Sequence, residues 1–226
     1  MVDRIPKDGM EALPGERTGR HAQDQDPEEV RRWLEETYPA IEQRAASEGG
    51  EIFWCDETGA AADQQTRRGY APEGQPARID VPDPHIRMNM ISTISNEGSV
   101  HFMTYKQTMT AALFITFLER LLGETTQKIF LIVDRLKAHE AKEVAAWAAN
   151  HRERIEIFFV PRYAPERKPD EYLNNDMKGG INASGLPANK EALRSRMLGF
   201  MSKLTHLPQH VRNHLQHPCV QYAVSN

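Results

Sequence analysis

Three acidic residues stand where a chain could put carboxylates to chemical use. Asp134 closes five consecutive apolar residues, Ile129 to Val133. Asp56 closes a shorter apolar run in EIFWCDE, residues 51–57, and Glu171 lies near the start of a helical stretch after the last apolar run. In a mixed sheet, adjacent strands bring two such ends within a few ångströms, and a helix packed on the sheet supplies the third group. Three carboxylates together repel one another, so cations must neutralise them or one must take up a proton. Mg²⁺ or Mn²⁺ suits oxygen donors of this kind. Two such ions, roughly 3.5–4 Å apart, clamp the attacking and leaving oxygens of an in-line displacement at phosphorus. The chemistry is cutting and joining of phosphodiesters. An Asp at a strand end is also an ordinary turn residue. Spacing alone leaves both readings standing.

Positioning these acids is the task of the surrounding elements. PEEVRRWLEETYPAIEQRAASE, residues 27–48, predicts a helix with Asp26 as N-cap, acids in the first turn and Gly49-Gly50 as its stop. Pro39 predicts a break in it. Strands are expected over 51–57, 88–95 and 99–105, with a turn at Asn96-Glu97-Gly98, which makes an antiparallel meander. Helical spacing over 108–124 precedes KIFLIVD, residues 128–134, the pattern of a strand buried on both faces. A helix over 139–150, a strand over 155–161 and helices over 169–178 and 187–204 complete the order. A meander followed by βαβ crossovers is an α/β arrangement, a mixed sheet flanked by helices in the ribonuclease-H-like order. The expected division is a flexible tail over 1–26, a catalytic domain over 27–205 and a C-terminal tail over 206–226.

The bulk properties set limits. The 226 residues are 39 % hydrophobic and 27 % charged, an ordinary composition for a folded domain. No apolar run approaches the roughly 20 residues that span a bilayer. The N-terminus is polar and lacks an apolar signal core, so the expected compartment is the cytoplasm, with Cys55 and Cys219 as reduced thiols. The net charge is −4. It divides into −8 for residues 1–150 and +4 for residues 151–226. Composition therefore does not argue for a nucleic-acid partner, although the polarity leaves room for a basic face.

Motif order is more specific. DPEEVRRWLEETYPAI, EIFWCDETG, RRGYAPEGQPA, NMISTISNEGSVHFMTY, KIFLIVDRLKAHEAKEVAAW and FFVPRYAPERKPDEYLNNDMKG together resemble the DDE-type transposases of bacterial insertion sequences, the branch related to mariner elements. The resemblance covers about residues 24–180. It implies a ribonuclease-H-like core, a catalytic triad of Asp56, Asp134 and Glu171 on two divalent ions, and DNA as substrate. It selects Glu171 over the neighbouring Asp170. Strand transfer of two element ends would favour a homodimer, and no membrane is involved. Arg135 replaces the Asn usual after the second acid, and PERKPDE carries Arg167 and Lys168 where the family has an apolar residue and Asn. Such transposases also carry helix-turn-helix modules, and this chain is expected to lack that DNA-binding module. These departures define an alternative expectation: a folded remnant that binds DNA or a partner transposase without cutting. A different ribonuclease-H-like nuclease, such as a resolvase, would share the site but not the motif run.

Further residues have candidate roles. The resemblance places His139 in the active site, against the plainer reading of a polar residue at a helix start. Arg67, Arg68 and Tyr70 suit DNA, the arginines for phosphates and the aromatic for stacking, or else a solvated hairpin edge. His206, His210 and His214 recur at i, i+4, i+8, with His217 and Cys219 close behind, a spacing conceivable for zinc.

Overall fold

A computed structural model describes residues 26–61, 86–162, 168–181 and 186–224. The chain opens with helix α1 (Pro27–Arg32), a π-helical stretch (Trp33–Thr37) and α2 (Tyr38–Glu48). The Asp26 carboxylate accepts the Glu28 N–H at 2.9 Å, the N-cap the sequence predicts. Instead of breaking at Pro39, the helix widens ahead of it. The Tyr38 N–H reaches back five residues to the Trp33 carbonyl. Pro39 has no N–H to offer the four-residue ladder, and the helix continues past it through a widened turn. Gly49 ends α2 in the left-handed region, φ 62°.

Five strands follow in one sheet: β1 (Glu51–Ala61), β2 (Arg87–Ser95), β3 (Val100–Tyr105), β4 (Ile129–Val133) and β5 (Ile155–Phe159). Their order is β3-β2-β1-β4-β5. β1–β2 and β2–β3 pair antiparallel, whereas β1–β4 and β4–β5 pair parallel. The sheet is thus the mixed one the element order predicts. α3 (Ala111–Glu124) and α4 (Lys142–Asn150) make the crossovers. The expected helix start at 139 moves to Lys142, and residues 137–140 form a turn. α5 (Pro169–Ile181), α6 (Lys190–Leu204) and α7 (Pro208–Leu215) follow, then a 3₁₀ turn (Gln221–Ala223).

Strand alternation divides the core in two. Ile52, Trp54, Phe130 and Ile132 pack with α2, α5, α6 and α7, while Phe53, Cys55, Leu131 and Val133 pack with α3 and α4. Buried strands covered on both faces read as continuous apolar runs, which is why IFLIV shows no alternation in the sequence. The segment after 205, expected as a tail, is folded through residue 224. Val211, Leu215, Val220 and Ala223 are buried. The Asn96 side chain donates to the Ala223 carbonyl at 2.8 Å and accepts from Trp54 Nε1 at 2.8 Å, tying this segment to the sheet. Among the described residues no helix is long and apolar enough to cross a membrane.

Candidate active site

Asp56 does not end its strand. β1 continues to Ala61 because β2 keeps pairing with it, Asp56 lying opposite Ser92. What ends is the parallel pairing: Trp54 matches Ile132, and β4 stops at Val133. Carrying that register forward two residues sets Asp56 level with Asp134. By the same parity both continue the row of Trp54 and Ile132, the face covered by α5. The Glu171 side chain comes from the first turn of α5. All three acids line one cleft of about 560 Å³, together with Arg135, Lys137, Arg162 and Lys168. A larger hollow of about 880 Å³ sits at the N-terminal end of β1, among Glu42, Glu51, Asn96 and Tyr222, away from these acids.

Lys168 dominates the electrostatics. It is 3 % exposed, and its ammonium donates to Asp56 Oδ1 at 2.6 Å and lies 3.7 Å from Asp170 Oδ2. Burial disfavours the charge, but Asp170, Asp56 and Asp134 outweigh it and hold the lysine protonated. Asn174, one turn beyond Glu171 on α5, donates to the other oxygen of Asp56 at 2.9 Å. Asp170 is fully buried with neither oxygen hydrogen-bonded, and burial pushes its carboxyl well above the ordinary range. Burial and the Asp56 charge raise Glu171 as well, against the pull of Lys168.

His139 bridges the two faces of the sheet end. Its Nδ1 lies 2.9 Å from Asp134 Oδ1 and its Nε2 lies 2.7 Å from Glu57 Oε1, while its ring packs on Phe114. Burial opposes its charge, but the two carboxylates prevail and raise it to about 9. Asp134 gains correspondingly. Burial would lift it, yet the His139 bond, the Lys168 charge and the Leu136 N–H at 3.0 Å hold it below its usual value. The protonated imidazole is therefore an ion-pair bridge, although Glu57, Asp134 and His139 place donor atoms within 4.8 Å of one another.

The donor chemistry suits a hard divalent cation. Asp56, Asp134 and Glu171 offer only carboxylate oxygens. Burial is the larger cause of the rise at Glu171, and the Asp56 charge adds to it. The three do not form a cluster as tight as Glu57, Asp134 and His139 among the described residues. Lys168 already stands on Asp56. Arg135, the other cationic departure, turns away: it pairs with Glu140 at 3.2 Å and Glu29 at 3.7 Å and covers the Phe159 ring.

The structure thus brings Asp56, Asp134, Glu171 and His139 to one end of the sheet. Arg67, Arg68 and Tyr70 lie outside the described residues. Glu57, Asn174 and the buried placement of Asp170 were not anticipated. Helical spacing from Glu171 would have found Asn174, one turn further along the same face. Nothing local marks Glu57, whose partner lies 82 residues away.

A ribonuclease-H-like sheet with acids gathered where β1 and β4 part company defines a class, the enzymes that break phosphodiesters by phosphoryl transfer. The model of the DDE superfamily endonuclease family matches residues 51–194, and the chain belongs to that family. No curated protein matches the chain by sequence. Among solved structures, the Mos1 transposase paired-end complex with left transposon end is similar at TM-score 0.61 and 16 % identity, over 98 % of this chain and 67 % of that one. The Mos1 strand transfer complex is similar at TM-score 0.62 and 16 % identity, over 99 % and 67 %. The catalytic domain of Mos1 mariner transposase is similar at TM-score 0.56 and 12 % identity, over 89 % of this chain and 96 % of that one. At these identities the likeness establishes a shared fold.

Proposed function

We propose that this chain is the catalytic domain of a transposase that cleaves DNA strands and transfers them to a target, with Asp56, Asp134 and Glu171 as ligands of Mg²⁺ or Mn²⁺. One observation carries the reading: Asp56 and Asp134 stand level where β1 and β4 separate, and Glu171 lines the same cleft. The similar Mos1 structures include paired-end complexes with Mg and with Mn, which supports DNA as substrate and the choice of ion. Bound there, a pair of divalent ions would activate the attacking oxygen and stabilise the leaving one. The chain's own residues do the rest. His139 and the Leu136 N–H hold one Asp134 oxygen, fixing the rotation of that carboxylate. Asn174 does the same for Asp56. Arg162 and Lys137, at the cleft wall, offer positive charge to a DNA backbone. Two copies would act on two element ends.

The test is cleavage of a terminal-repeat duplex with Mg²⁺ or Mn²⁺. Wild type should nick it, and Asp134→Asn should lower the rate by several orders of magnitude. Equal product from both, or none from either, would overturn the reading. A second reading has its own support: the Lys168 ammonium on Asp56 Oδ1 at 2.6 Å describes a chain that holds DNA without cutting it. A gel shift that persists under both metals without product would favour that one.

A further inference from the structure

We propose that Asp176, His210 and His214 form a second metal site, for Zn²⁺ or a similar transition ion, that clips α7 onto α5. The cluster is separate from the active site. Asp176 lies five residues after Glu171 on α5, which at about 100° per residue turns it some 140° away from the cleft. His210 and His214 sit one turn apart on α7, so both rings leave the same helix face. His206 precedes α7, and His217, past its end, stacks on Tyr172 at 4.2 Å. Two imidazoles, not four, share the site.

Both Nε2 atoms address the same carboxylate oxygen. His210 Nε2 is 2.7 Å and His214 Nε2 3.6 Å from Asp176 Oδ2, and all three donor atoms lie within 4.8 Å of one another. Tetrahedral zinc, with bonds of about 2.0–2.1 Å, sets its ligand atoms roughly 3.3 Å apart. The two distances bracket that spacing, and the two imidazole nitrogens lie within 4.8 Å of each other, so seating an ion needs side-chain shifts on the order of half an ångström or more. A single His–Asp hydrogen bond accounts for His210 alone. It leaves His214 Nε2 buried with no hydrogen-bond partner, a cost that ligation removes. Burial holds His214 below its ordinary value, with His210 adding to that and Asp176 opposing it, so the ring is neutral at neutral pH. Neutral imidazole is the ligating form. Two nitrogens and one carboxylate oxygen are ligands typical of zinc, and three protein ligands leave a fourth position for water. A two-turn helix is marginal by itself, and a metal clip to α5 stabilises its docking.

Calorimetric titration of the full chain with Zn²⁺, in excess Mg²⁺ to occupy carboxylate sites, tests this. One Zn²⁺ per chain is expected, with a rise in Tm. His210→Gln and Asp176→Asn should each weaken binding more than about tenfold and abolish the rise. Asp134→Asn should change neither. His210 is exposed, so its replacement leaves the buried Val211 and Leu215 contacts of α7 intact. Co²⁺ in place of Zn²⁺ should give visible absorption that both variants lose. No saturable Zn²⁺ binding, or equal affinity in wild type and His210→Gln, would overturn the proposal.

Discussion

Replacing Lys168 by Met removes a buried cation and keeps most of the side-chain volume. In the wild type that ammonium contacts Asp56 at 2.6 Å and lies 3.7 Å from Asp170. Breaking a buried ion pair by deleting one partner costs about 3–5 kcal/mol, because the other charge stays buried and uncompensated. For a domain of this size each kcal/mol lowers Tm by about 2–4 °C, so the variant should melt roughly 6–20 °C lower in chelator. Mild acid should narrow the gap, since burial already pushes Asp170 and Glu171 toward the neutral form. Divalent metal should narrow it too. With the lysine gone, Mg²⁺ or Mn²⁺ no longer competes for Asp56, and the metal-dependent rise in Tm should exceed that of wild type. Differential scanning calorimetry with and without Mn²⁺ reads both effects. A variant as stable as wild type in chelator, or one with the same metal response, would refute the view of Lys168 as an internal counter-ion.

Other perturbations have defined outcomes. His139 is raised from 6.5 to about 9, so the stability it contributes is complete below pH 6.5 and is lost as pH rises through 9; His139→Gln should flatten thermal melts across that window, removing up to about 3 kcal/mol. Glu156 is lowered to about 2, first by its bond from Arg44 and then by Lys128, against the opposing effect of burial. Its contribution is present above pH 4.5 and fades as pH falls toward 2, so Glu156→Gln should show a shallower acid-unfolding curve by circular dichroism. Gly98 has φ 93°, and a Cβ there would fall 2.5 Å from the Pro208 carbonyl oxygen. Gly98→Ala should cost at least about 1–2 kcal/mol in urea unfolding and loosen amide protection in α7 first.

Much of the fold was legible because its signals are local. IFLIV followed by an acid marks a buried strand, and AALFITFLERLLGE marks its covering helix. Boundaries shifted where pairing decides them: β1 outran its apolar stretch because β2 continues alongside, and α4 began late because residues 137–140 turn to aim His139 at Asp134. That Asp56, Asp134 and Glu171 share a cleft was legible through the motifs around them more than through spacing. Lys168 could be named as a cation near the carboxylates, but its seat on Asp56 depends on a contact across 112 residues. Glu57 was hidden for the same reason. The segment after 205 misled because its apolar residues are few, yet Val211, Leu215 and Val220 are all buried.

That separation along the chain has a consequence for the protein as it is made. Asp56 belongs to the first strand, and the groups that complete its surroundings, Lys168, Glu171 and Asn174, arrive more than a hundred residues later. Loop closure of that length is slow, and strands emerging early wait for their distant neighbours. A ribosome that stalls before Pro169 releases a product with two of the acids and no α5 to bring the third. In such half-made chains Asp56 lacks its Lys168 and Asn174 partners, and the cleft takes shape only once the domain is whole.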